Sequence, residues 1–207
     1  MKTADLYAAA ARELVRAVRG KRSQVALSRR LGYRGNPVTD WEAGRSHPDA
    51  VEVLQAARFA KLPVKAAFER FHPAPAPRLE LGARGLAPWL HAVRGSTTLA
   101  ALAERLGCSR YAVRRWFSAE AQIKLPAFLQ LLDVMTDRVQ DWVAELVDIE
   151  NVPSLKERFA RVQLAKRLAF ELPWSEAILR VLETARYREG SRAGAAPIAA
   201  WLGIDAG

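Results

Sequence analysis

The sequence predicts an all-α fold, two tandem helical bundles followed by a C-terminal helical region. Three observations carry that prediction. Residues 16–41, RAVRGKRSQVALSRRLGYRGNPVTDW, align without a gap on residues 91–116, HAVRGSTTLAALAERLGCSRYAVRRW, at an offset of 75 with 11 of 26 positions identical. Apolar residues recur at helical spacing: Val64, Ala67, Phe68 and Phe71 stand at i, i+3, i+4 and i+7, and Val139, Trp142, Val143 and Leu146 repeat the pattern 75 residues on. No stretch alternates apolar and polar residues over four or more positions, so no strand is predicted.

The elements follow in order. Leu6, Ala10, Leu14, Ala17 and Val18 line one face of a first helix. Ser23 is placed to cap a second helix that runs to Leu31, and Gly32 ends it; Thr98 and Gly107 play the same parts in the second copy. Asn36 with Pro37 opens a third helix, and Ser109 opens its counterpart, RYAVRRW. Val38 and Val113 face back into the core, and Trp41 and Trp116 anchor the same face. Pro48 follows Trp41 by 7 residues while Pro126 follows Trp116 by 10, which predicts a shorter fourth helix in the second copy. HPAPAPR, residues 72–78, reads as an extended, semi-rigid spacer. The predicted organisation is domain one at 1–71, a Pro-rich linker at 72–83, domain two at 84–148 and a C-terminal helical region at 149–207. That region holds a break at ENVPS (150–154) and helices near 155–171 and 174–188. Its end, IAAWLGID (198–205), mimics LAERLGCS (102–109) and reads as the opening of a third helix-turn-helix.

Charge narrows the function. The 207 residues carry a formal net charge of +10. Residues 1–126 hold 22 of the 32 basic and 10 of the 22 acidic residues, a net +12; residues 127–207 hold 10 and 12, a net −2. Positive charge segregated onto the repeats is the footprint of a polyanionic partner. A single cysteine, Cys108, excludes an internal disulfide and fits a reducing compartment. The N-terminus has no long apolar run, so a cytoplasmic protein with no membrane partner is expected. His47, His72 and His91 lack metal-ligand spacing, and no paired carboxylates, nucleophile motif or phosphate loop stands out. No cofactor, metal or enzymatic activity is predicted.

Each copy thus contains two helices around a Gly-centred turn, the layout of a helix-turn-helix. SQVALSRRLGYRGNPVTDWEAGRSHP resembles the lambda-repressor-like (Cro-type) helix-turn-helix family of transcriptional regulators. The resemblance rests on Ser23, Gln24, Leu27, Gly32, Val38, Glu42, Gly44 and Pro48 in copy one, and more loosely on Leu102, Ala103, Gly107, Ser109 and Val113 in copy two. It covers residues 6–71 and 84–148. It implies five-helix domains that bind double-stranded DNA, with Gln24 on a phosphate and the start of the third helix at base edges. The implied contacts are Arg34, Gly35, Asn36, Thr39, Asp40 and Arg45 in copy one, and Arg110, Tyr111, Arg114 and Arg115 in copy two. Copy two departs from the family at Leu99, where Gln is expected, and at Phe117, where Glu is expected. The resemblance also implies an ion pair between Arg16 and Glu42; the corresponding positions, His91 and Phe117, predict an aromatic contact.

Two readings follow. One is a sequence-specific regulator with two DNA-reading modules on one chain, copy two supplying more of the affinity and copy one refining the site. The other is a helical scaffold that keeps the fold but binds a protein partner; Pro37, Asp40 and Phe117 favour it. The near-neutral C-terminal region suits a homodimer or protein interface. Salt dependence of binding to random duplex DNA discriminates the two readings.

Overall fold

The computed structural model describes residues 3–171 and, beyond them, positions 178, 180 and 182. The chain divides into two compact units, residues 1–159 and 160–207. The first unit contains both copies of the repeat. Copy one is α1 (Thr3–Arg19), α2 (Gln24–Arg30), α3 (Pro37–Ala43), α4 (Ala50–Phe59) and α5 (Val64–Phe71). Copy two is α6 (Ala83–Arg94), α7 (Leu99–Leu106), α8 (Arg110–Phe117), α9 (Leu125–Thr136) and α10 (Val139–Leu146). A further helix, α11 (Pro153–Glu171), follows a 3-10 turn at Ile149–Asn151. No strand occurs among the described residues.

Local chemistry sets the ends of these helices. The side chains of Ser23, Thr98 and Ser109 accept from the backbone N–H of Ala26, Ala101 and Ala112, three residues on. Gly107 closes α7 with φ +66°, and Gly32 follows α2 with φ +88°. Asn36 precedes α3 without capping it, because its side chain is engaged elsewhere.

The 75-residue register survives the difference in proline spacing. α4 begins at Ala50 and α9 at Leu125, again 75 apart. The fourth helix of copy two is longer than that of copy one, 12 residues against 10, contrary to the sequence expectation. Pro126 is the reason. It sits in the first turn of α9, where its missing N–H costs nothing. It is therefore not the counterpart of Pro48, whose equivalent is Ile123.

Around residues 48–50 and 123–125 the two copies meet about a local pseudo-two-fold axis. The N–H of Ala50 donates to the carbonyl of Ile123 at 2.8 Å, and the N–H of Leu125 donates to the carbonyl of Pro48 at 2.9 Å. These bonds exchange equivalent residues, as in an isologous dimer. α5 packs on α10, and Phe68 meets Trp142 with ring centres 5.6 Å apart. Side chains at equivalent positions pair across the seam: Lys124 with Asp49 at 3.0 Å, and Arg70 with Glu145 at 2.9 Å. The copies share one core. Trp89, Trp142, Phe68 and Phe128 are all within it and almost wholly buried.

Residues 72–78 contain no helix. The segment is nevertheless held against its neighbours: Leu79 is buried, its carbonyl accepts from Gln55 Nε2 at 3.0 Å, and Glu80 pairs with Arg58. The first turn of α11 is tied to α1, where Glu13 accepts from both the N–H and the hydroxyl of Ser154. Arg158 donates to both oxygens of Asp133, and Tyr7 donates to the same carboxylate. In the second unit, the described part of α11 carries an Arg167–Glu171 pair at 2.7 Å, and positions 178, 180 and 182 are helical. IAAWLGID lies outside the described residues.

Candidate nucleic-acid interface

The third helix of each copy is pinned by its apolar face. Val38 and Trp41 are buried in α3; Val113 and Phe117 are buried in α8, and Trp116 packs against the same core. That pinning leaves the outward residues of the two helices in very different states.

In copy one the outward residues bind each other. The Ser28 hydroxyl donates to Asn36 Oδ1 at 2.8 Å, and Asn36 Nδ2 donates to Thr39 Oγ1 at 2.6 Å. The Thr39 hydroxyl donates to Gln24 Oε1 at 3.0 Å, and Gln24 Nε2 donates to Glu42 Oε2 at 2.7 Å. The chain ends at Arg19, whose Nε lies 2.5 Å from Glu42 Oε1. The four bonds from Ser28 to Glu42 all donate in the same direction, the arrangement in which each bond polarises the next, and Arg19 donates into Glu42 from the opposite end. Burial alone would raise the Glu42 pKa. Hydrogen bonds from Arg19 and Gln24, and the charges of Arg19 and Arg16, outweigh it and hold the carboxyl below its usual range.

Arg16 is not the ion-pair partner that the resemblance implied. Its Nη2 donates instead to the backbone carbonyl of Glu42 at 2.6 Å, and Arg19 takes the carboxylate. The reason is helical geometry. Arg19 lies three residues on, on the same face of α1, and its position brings it to the side chain of Glu42 rather than to its backbone. Copy two repeats this division of labour with other chemistry. His91 Nε2 lies 3.1 Å from the Phe117 carbonyl, and its ring meets the Phe117 ring edge-on at 5.0 Å. Arg94, the counterpart of Arg19, places its guanidinium 5.5 Å from the Phe117 ring centre. An ion pair has become a cation–π contact, with the same backbone anchor beneath it.

Only part of the rest of copy one's predicted set is engaged. Asp40 and Arg45 pair at 2.6 Å on the surface. Arg34 and Gly35 are exposed. In copy two, the positions of the hydrogen-bonded series are filled by Ala103, Tyr111, Arg114, Leu99 and Phe117, which cannot form it. Arg110, Tyr111 and Arg114 are exposed, and Arg115 lies 5.7 Å from the Tyr111 ring centre. The charge around the second helix is reversed in emphasis. Copy one exposes Lys21, Arg22, Arg29, Arg30 and Arg34, where copy two has Ser96, Thr97, Glu104, Arg105 and Ser109.

Arg19, Arg94 and Ser28 were missed by sequence reasoning. A signal for the first two existed: Arg is retained at both positions of the repeat, three residues after a position that changed from Arg to His. Ser28 had none, since a serine in a polar helix turn is unremarkable until Asn36 is seen beside it.

Among the described residues, the other titratable groups offer no competing site. Burial pushes the Cys108 thiol up, away from reactivity. Burial, then the charges of Arg12 and Lys124, lowers the pKa of His47. Among the described residues no group of His, Cys, Asp and Glu is placed to hold a metal ion, and no helix is long and apolar enough to cross a membrane. The chain matches no family model, no curated protein and no solved structure.

Proposed function

We propose that this chain is a sequence-specific double-stranded-DNA-binding transcriptional regulator that presents two lambda-repressor-like helix-turn-helix modules without needing a second subunit. One observation carries the reading: α8 is anchored by buried Val113 and Phe117 and presents Arg110, Tyr111, Arg114 and Arg115 along its free face. Arginine forks match guanine O6 and N7 and also phosphate oxygens. The pseudo-two-fold supports it, since paired modules read paired half-sites.

The rival reading, a protein-binding scaffold, loses one of its features, because Phe117 is buried and unavailable to a partner. It keeps Pro37 and Asp40, neither of which is buried. Replacement of both Arg114 and Arg115 by Ala separates the readings. A DNA reader bound through these arginines loses affinity for all duplexes and about two units of salt slope, roughly 0.9 for each lost phosphate contact. Binding equal to that of the parent at two salt concentrations removes α8 as the reading element.

A further inference from the structure

Resting on the DNA-binding reading, we infer that the two copies divide the work, copy one gripping phosphates without reading bases and copy two reading them, so that the operator is asymmetric and carries its sequence information in one half. In copy one the side chains that would reach base edges are Asn36 and Thr39, with Gln24 behind them, and each already has its polar atoms in the hydrogen-bonded series that ends on Glu42 and Arg19. A bidentate base contact by Asn36, or a donation from the Thr39 hydroxyl, would compete with bonds within that series, and the loss would offset the gain. Asp40, the remaining outward residue of α3, is occupied by Arg45 and carries the charge that phosphates repel; Arg34, which the resemblance placed among the contacts, is exposed in the turn before α3. Copy one's free positive charge lies elsewhere, on α2 and the loops around it, with Lys21, Arg29 and Arg34 exposed there. Cations on a helix that flanks the reading helix meet the sugar–phosphate backbone, which positions a protein but specifies nothing.

Copy two has the converse arrangement. Its second helix carries Glu104 beside Arg105, and the other flanking positions are Ser96, Thr97 and Ser109. Its charge stands on the reading helix, as Arg110, Arg114 and Arg115, with the flat face of Tyr111 between them. The same substitutions that abolished the polar series released these side chains: Leu for Gln at 99, Phe for Glu at 117, Arg for Thr at 114. The division differs from the sequence expectation, in which copy one refines the site. A chain that dimerised by self-association would carry two identical heads and select a palindrome. Duplication within one chain removes that constraint.

The test uses the full chain with two variants, Lys21→Ala/Arg29→Ala/Arg34→Ala and Arg114→Gln/Arg115→Gln. Both are surface changes, and unchanged thermal melts verify folding. Each protein selects sites from a random duplex pool, and the selected and scrambled duplexes are titrated at several salt concentrations. The parent yields a motif whose conserved positions, guanines among them, cluster in one half-site. The triple variant keeps that motif but loses up to about three units of salt slope. The glutamine variant loses guanine preference in that half and gains none in the other. A palindromic motif with equal information in both halves overturns the inference and leaves DNA binding standing. A triple variant that changes the motif overturns it equally. Failure to retain any duplex at low salt removes the DNA-binding reading and the inference with it.

Discussion

Glu42 and Phe117 occupy one position of the repeat, and the difference between them organises the rest of the surface. A half-exposed carboxylate would contribute little, but Glu42 is buried and accepts from both Arg19 and Gln24. Replacing it with Gln leaves Arg19 without its counter-charge, at a cost of about 1.5–3 kcal/mol at neutral pH. The pH dependence has a definite sign. The folded-state pKa is below the unfolded value, so the stabilisation is fully present above the ordinary carboxylate range and is lost as pH falls through the lowered folded value. Urea melts at pH 7 and pH 3 will therefore show a gap between parent and Glu42→Gln that narrows in acid. A gap that stays constant would mean that the carboxylate charge is not what stabilises. The sequence displays Glu42 and basic residues on α1, and the family resemblance pointed to Arg16 rather than Arg19. The two lie on one helical face, and only the packing of α1 on α3 decides which of them reaches a carboxylate and which a carbonyl.

At the scale of elements, helix starts were legible because caps are local chemistry. Ser23, Thr98 and Ser109 are read from three-residue patterns, and their bonds are where those patterns put them. The length of α9 was not legible. Proline marks a boundary, but whether it stands before a cap or inside the first turn depends on which backbone carbonyl the preceding residue must offer, and Ile123 offers its own across the seam. The Pro-rich segment shows the same limit. Its composition predicts extended chain; its contacts come from Gln55, Arg58 and α6. Gly85 is the tightest of these. A Cβ there would stand 1.7 Å from the Arg78 carbonyl oxygen, so the segment and α6 would have to separate. Gly85→Ala should cost about 1–3 kcal/mol, as overpacking does, whereas Gly35→Ala, which meets nothing within 4 Å, should not destabilise. Thermal melts of the two variants check this, and equal stability would show that the segment is not clamped.

At the scale of the whole chain, the duplication was legible, but the way its two copies pair was not. Nothing in the alignment states that equivalent residues face one another, although the opposite charges at positions 49 and 124, and at 70 and 145, are the trace of it. In a homodimer of either copy these positions would set like charges together; divergence makes the intrachain pairing the favoured one. A single chain is therefore expected to be the DNA-binding unit. The direct measurement is a titration of a labelled random duplex with the full chain at 50 mM and 200 mM salt, with the molar ratio in the complex read by light scattering. The account predicts a 1:1 complex and, for about six phosphate contacts, an affinity loss on the order of 1,000-fold between the two salts. Binding that is absent at low salt, or that persists unchanged at high salt, would contradict it and leave the protein-binding scaffold as the better account of these helices.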